Sequence, residues 1–148
     1  MSTSQTATAP DRKVQAASIL VVDDDPMVRA IAREMLDAEG YRVFEAVDGD
    51  QALKMMGDHP MDLVIMDMLM PNKDGVETII ELRKRQSPVR ILAISSGGSM
   101  DVDSLLQLAS AFGADAVMSK PLRLSTFAST VATLLAAPQT SSGPYAAA

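Results

Sequence analysis

Five short apolar runs, each followed by a stretch with helical spacing, constrain this chain more than any other feature. The runs are Ile19–Val22, Tyr41–Ala46, Leu63–Met66, Ile91–Ile94 and Ala116–Met118. After the first, Pro26 stands where a first-turn proline is tolerated, and Val28, Ile31, Ala32, Met35 and Leu36 trace one helical face up to Gly40. Ala52, Leu53, Met55 and Met56 mark a second helix. Val76, Ile79, Ile80 and Leu82 mark a third, closed by Ser87-Pro88. Leu105, Leu106, Leu108, Ala109 and Phe112 mark a fourth, stopping at Gly113. Leu124, Phe127, Val131, Leu134 and Leu135 mark a fifth, up to Pro138. Strict strand–helix alternation calls for a parallel sheet with helices on both faces, a doubly wound α/β sandwich. The runs at 19, 63 and 91 are apolar throughout, as strands covered on both sides should be.

Composition narrows the function. Of 148 residues 47% are hydrophobic, enough for one domain with a real core. Residues 1–17 are rich in Ser, Thr, Gln and Ala, and 138–148 in Ser, Pro and Ala. Both are expected to be disordered tails around a domain at 18–137. A net charge of −6 and a pI of about 4.6 disfavour direct nucleic-acid binding. With no cysteine there is no disulfide framework, thiolate metal site or thiol nucleophile. No secretory signal and no membrane-length apolar run is present, so a cytoplasmic protein without membrane contact is expected.

In open parallel sheets, ligands bind at the carboxyl ends of the strands. Here four of the five runs lead into reactive or ionisable residues: Asp23, Asp24 and Asp25; Asp67; Ser95 and Ser96; Ser119, Lys120 and Pro121. The second instead leads into Ala46-Val47-Asp48-Gly49, a turn into the next helix. Carboxylates gathered within a few ångströms repel by roughly 4 kcal/mol per pair at 4 Å and an effective dielectric of 20. One lysine cannot neutralise them, so the cluster must take up protons or bind a cation. Only oxygen donors are present, which points to a hard ion, Mg2+ best of all. Asp24 and Asp67 are expected as direct ligands and Asp23 as a ligand directly or through water. Asp25 reads as a helix cap.

The strings ILVVDDDPMVR, DLVIMDMLMPNKDG, ILAISS and AVMSKP, in this order and spacing, resemble the receiver domains of two-component response regulators, over roughly Ile19 to Ala136. The resemblance implies a flavodoxin-like five-stranded parallel sheet with five helices and strand order 2-1-3-4-5. It makes Asp67 the phosphoacceptor, Asp23 and Asp24 the acidic pair, and Leu69 the residue whose backbone carbonyl completes the Mg2+ shell. It makes Ser95 the switch hydroxyl and Lys120 the lysine before a cis-prone proline, Pro121. The implied partner is a sensor histidine kinase or a histidine phosphotransfer protein, with output through protein contacts of a single-domain regulator. Receivers of this kind often carry an aromatic residue three positions before the lysine. Val117 stands there, so the loop Ser96-Gly97-Gly98-Ser99, with Gly97 and Gly98 as hinge, is expected to carry the switch to helix four and to the face of helix four, strand five and helix five.

Other features read plainly. Met66, Met68 and Met70 are expected to fill space. His59 reads as a solvated loop residue, and Arg83-Lys84-Arg85 as an exposed helix end. Gly97-Gly98 lacks the spacing of a phosphate-binding loop. A phosphohydrolase with an Asp nucleophile would place a second Asp two residues on, where Leu69 sits. The chain is therefore read as a self-phosphorylating switch, not a turnover enzyme. A phosphorelay intermediate and a pseudo-receiver that binds without phosphorylation are the remaining alternatives.

Overall fold

The computed structural model describes residues 16–68, 75–95 and 102–137. Five strands, β1 (Ser18–Val22), β2 (Arg42–Ala46), β3 (Leu63–Asp67), β4 (Arg90–Ser95) and β5 (Ala116–Ser119), form one parallel sheet in the order β2-β1-β3-β4-β5. They alternate with helices α1 (Pro26–Ala38), α2 (Gly49–Asp58), α3 (Gly75–Lys84), α4 (Val102–Phe112) and α5 (Leu124–Ala136). Strand–helix alternation implies the doubly wound layers, and the family resemblance implies this strand order.

Side chains alternate across the sheet and build two cores. Ile19, Val21, Leu63, Ile65, Leu92 and Ile94 face α1 and α5, meeting Ala32, Leu36, Phe127 and Val131. Leu20, Val22, Val64, Met66, Ile91 and Ala93 face the other way, onto Ala52, Ile79, Leu82 and Ala109. The central strands β1, β3 and β4 are buried at every position, whereas the edge strands β2 and β5 are largely half-buried. Their apolar runs have the composition that two covered faces demand.

The helix ends follow local chemistry. Asp25 caps α1 by accepting from the Met27 N–H at 2.9 Å, and Pro26 occupies the first turn, where no donor is needed. Asp48 caps α2 through the Gln51 N–H at 2.9 Å, and Gln51 accepts in return from the Val47 N–H. Gly40 and Gly113, at φ of 88° and 108°, supply the left-handed backbone that turns the chain out of α1 and α4.

Several expectations need correction. Tyr41 precedes β2 instead of opening it. Ile31 and Leu124, the latter at the first residue of α5, are exposed and belong to neither core. His59 is not a free loop residue; it ends α2 and packs its ring 4.6 Å from that of Phe44. Arg83 does not share the exposure of Lys84 and Arg85. It folds inward and donates to the carbonyls of Gly113, Ser87 and Val89 and to Asp115 Oδ2, whose carboxylate also accepts from the Ile91 N–H. The side chains of Leu105 and Leu106 lie outside the described residues.

Candidate functional site

The strands deliver their last residues to one end of the sheet, and the backbone ladder continues past them. The Asp23 N–H donates to Ala46 O at 3.1 Å, the Met68 N–H to Ile94 O at 2.9 Å, and the Lys120 N–H to Ser95 O at 2.7 Å. Adjacent strand ends are thereby tied in register, which holds Asp23, Asp67, Ser95 and Lys120 around one point. Carboxylate oxygens of Asp23, Asp24 and Asp67 lie within 4.8 Å of one another. Asp23, Asp67 and Ser95 are buried, and Asp24 is open to solvent.

Lys120 reaches into this cluster from the end of β5. Its ammonium lies 2.9 Å from Asp23 Oδ2 and 3.5 Å from Asp67 Oδ2. Burial alone would pull the Lys120 pKa down, but the carboxylates of Asp23 and Asp67 outweigh it and hold the pKa above its ordinary value. The Lys120–Pro121 peptide is cis. Asp23 Oδ1 accepts from the Asp25 N–H at 2.9 Å. Asp23 Oδ2 is buried and pairs with the Lys120 ammonium at 2.9 Å, with no further hydrogen-bond partner among the described residues. Lys120 pairs with two of the three clustered carboxylates and Asp24 stays open to solvent, so the all-oxygen set fits a hard divalent ion.

Gly75 supports the floor of the site. A Cβ there would run into the Asp67 carbonyl oxygen and come within 2.9 Å of the Met68 Cα, so α3 can start against β3 only with glycine at this position. Val117 is half-buried and packs against the core that also receives Leu108 and Phe112 of α4. Met66 and Met68 are buried space-fillers beside Asp67. Leu69, Gly97, Gly98, Ser96 and Met70 lie outside the described residues.

Sequence reasoning assigned no role to Arg29, Arg33 or Glu45, which adjoin the site. Arg29 Nη1 donates to the Asp23 carbonyl at 2.7 Å and Arg29 Nε to Glu45 Oε1 at 2.9 Å. Arg33 Nε holds Glu45 Oε2 at 2.6 Å, and Arg33 Nη2 donates to Val43 O at 3.0 Å. The available signal was two arginines four residues apart on α1, beside an acidic position on the neighbouring edge strand.

A doubly wound parallel sheet thus gathers three carboxylates and a lysine at the carboxyl end of its strands. Comparison with known proteins gives the family: residues 19–132 match the response regulator receiver domain, and the chain belongs to that family. It is 41% identical over 104 residues to the transcriptional regulatory protein CpxR of Klebsiella pneumoniae, covering 70% of this chain and 42% of that protein. The chain thus spans about two-fifths of the length of the curated relatives it matches. Among solved structures it resembles the chemotaxis protein CheY4 of Vibrio cholerae, with a TM-score of 0.73 and 27% identity over 80% of this chain and 98% of that one. It also resembles the response regulator TrrA of Thermotoga maritima, solved in complex with Mg2+-BeF, with a TM-score of 0.70 and 32% identity over 80% and 98%. Among the described residues, no helix is long and apolar enough to cross a membrane.

Proposed function

We propose that this receiver takes a phosphoryl group from the phosphohistidine of a kinase or phosphotransfer protein onto Asp67 and signals through protein contacts. The observation that carries this reading is the Lys120 ammonium set between Asp23 and Asp67 at the convergence of the strand ends. A carboxylate oxygen of Asp67 attacks phosphorus in line. The O–P bond forms as the N–P bond breaks, and the electron pair leaves on the donor imidazole, which takes up a proton. Such a loose transition state asks little covalent work of the acceptor, so positioning and charge neutralisation supply most of the rate.

Asp23, Asp24 and Asp67 are the side chains that would hold Mg2+, with the Leu69 carbonyl a further proposed ligand. When bound, the ion neutralises charge on the phosphoryl oxygens. Lys120 is near enough to follow one of these oxygens by a small rotation of its long side chain. Ser95, at the end of β4, offers a hydroxyl to another. Because the Ser95 carbonyl accepts from the Lys120 N–H, a shift of either residue is felt at the start of the β5–α5 connection. Val117 of β5 packs against the same core as Leu108 and Phe112 of α4, which supports output on the face of α4, β5 and α5. Reset follows from hydrolysis of the acyl phosphate and makes the chain a switch instead of a turnover enzyme.

Incubation with acetyl phosphate or a phosphorylated kinase in Mg2+ should label the parent and not Asp67→Asn. Asp24→Ala should label slowly and bind Mg2+ more weakly. Labelling of Asp67→Asn equal to the parent would remove Asp67 from the reading. A parent that neither binds Mg2+ nor labels would mark a pseudo-receiver.

A further inference from the structure

We propose that Arg29, braced by Glu45 and Arg33, is a positioning residue that sets the Asp23 carboxylate for cation binding. This rests on the reading of Asp23, Asp24 and Asp67 as the cation-holding site. Asp23 has four polar atoms, and three are committed: its N–H to Ala46 O, its carbonyl to Arg29 Nη1, and its Oδ1 to the Asp25 N–H. Only Oδ2 is left for the site, where it faces Lys120. The Asp23 carbonyl lies beyond the last residue of β1. Arg29 reaches back from the first turn of α1 to hold it.

Arg29 is itself held. Its side chain is only 16% exposed, and Glu45 engages its Nε while Arg33 takes the second Glu45 oxygen and anchors to the β2 backbone at Val43. The result is a continuous path from the Asp23 peptide through Arg29, Glu45 and Arg33 to the edge strand. An isolated surface ion pair contributes little, but a guanidinium fixed at two points by a carboxylate and a backbone carbonyl fixes geometry. Lysine cannot replace it, because a single ammonium lacks the fork that serves both partners.

Positioning and bare charge predict opposite signs. As charge alone, a cation beside the acidic pair opposes metal binding, so removing it would tighten binding. As a positioning residue its removal weakens binding, since residues that orient metal ligands typically contribute about tenfold or more in affinity.

The test is titration of the purified chain with Mn2+, with free ion counted by electron paramagnetic resonance and the folded fraction fixed by circular dichroism. Arg29→Met should bind Mn2+ about tenfold more weakly than the parent. Arg29→Lys should recover little of the loss, and Glu45→Gln should lose a smaller part. In acetyl phosphate labelling the Mg2+ needed for half-maximal rate should rise, and the deficit should shrink as Mg2+ is raised. Folded Arg29→Met with parental or tighter Mn2+ affinity would overturn the proposal while leaving the site reading intact. Should Arg29→Met not fold, a parental affinity in Glu45→Gln overturns it equally. A parent that binds no Mn2+ would sink the site reading and this inference together.

Discussion

Lys120 is bound to the acidic site by opposite charge on two sides, at 2.9 Å from Asp23 and 3.5 Å from Asp67. That geometry makes it a competitor of any metal for the same carboxylates and, in the proposed reaction at Asp67, a partner for the new anion. Lys120→Ala should therefore bind Mg2+ at least as tightly as the parent by calorimetry, because a competing cation is gone. It should nevertheless lose the structural response, read as backbone NMR shifts on adding beryllofluoride, a mimic of the aspartyl phosphate. Parental shifts on β5 and α5 in that variant would count against its proposed role. Asp23 and Asp67 face the same small volume: Asp23 is fixed by hydrogen bonds to Ala46, Arg29 and Asp25, and the Asp67 backbone is wedged against Gly75.

Among the elements, the junction of α3, β4 and α4 depends on one side chain. Arg83 leaves the end of α3 and supplies donors to three carbonyls and to Asp115, at the end of the sheet opposite the acidic site. Gly113, at a φ of 108° that disfavours a side chain, packs against Arg83, whose Cγ would lie 2.6 Å from an added Cβ. The C-terminal end of α4 is thereby clamped, whatever happens at the end nearer Ser95. Arg83→Met should lower stability in urea unfolding by about 2–4 kcal/mol, since it leaves partly buried carbonyls without donors. Lys84→Met, one residue on but exposed, should stay within about 0.5 kcal/mol of the parent. Equal losses in the two would show that Arg83 is not the clamp.

For the whole molecule, charge decides how stability varies with pH. Arg33, burial and Arg29 act on Glu45 in that order of size; burial raises its pKa, but the two arginines prevail and hold it below the ordinary glutamate value. A carboxylate with a depressed folded pKa adds stability that is present above its unfolded pKa and lost as pH falls through the folded pKa. The melting temperature of the parent should accordingly drop on acidification through and below the ordinary glutamate range. In Glu45→Gln the same drop should be shallower, because one contributor is absent. An identical slope in both proteins would mean that Glu45 gains nothing from its arginines on folding. The pair is partly solvent-exposed, which keeps the effect small.

The alternation of apolar runs with helical spacing was sufficient to predict the layers, because each element's period must match the face it buries. The acidic residues and the lysine were legible for a related reason: in a parallel sheet the residue after each strand can only emerge at the ligand-binding end. Asp25 as a cap and Gly40 and Gly113 as stops were equally local matters of backbone donors and handedness. What the sequence could not decide were contacts whose two ends are far apart in the chain. Arg83 and Lys84 are neighbours of the same charge, yet only the packing of α4 against α3 brings the Gly113 carbonyl within reach of one of them. Arg29 and Glu45 stand 16 residues apart, and their pairing exists only because β2 lies beside β1 at the sheet edge. Hydrophobic periodicity reports which face is buried, not which polar group waits there. That depends on strand order and register, which the tertiary structure alone supplies.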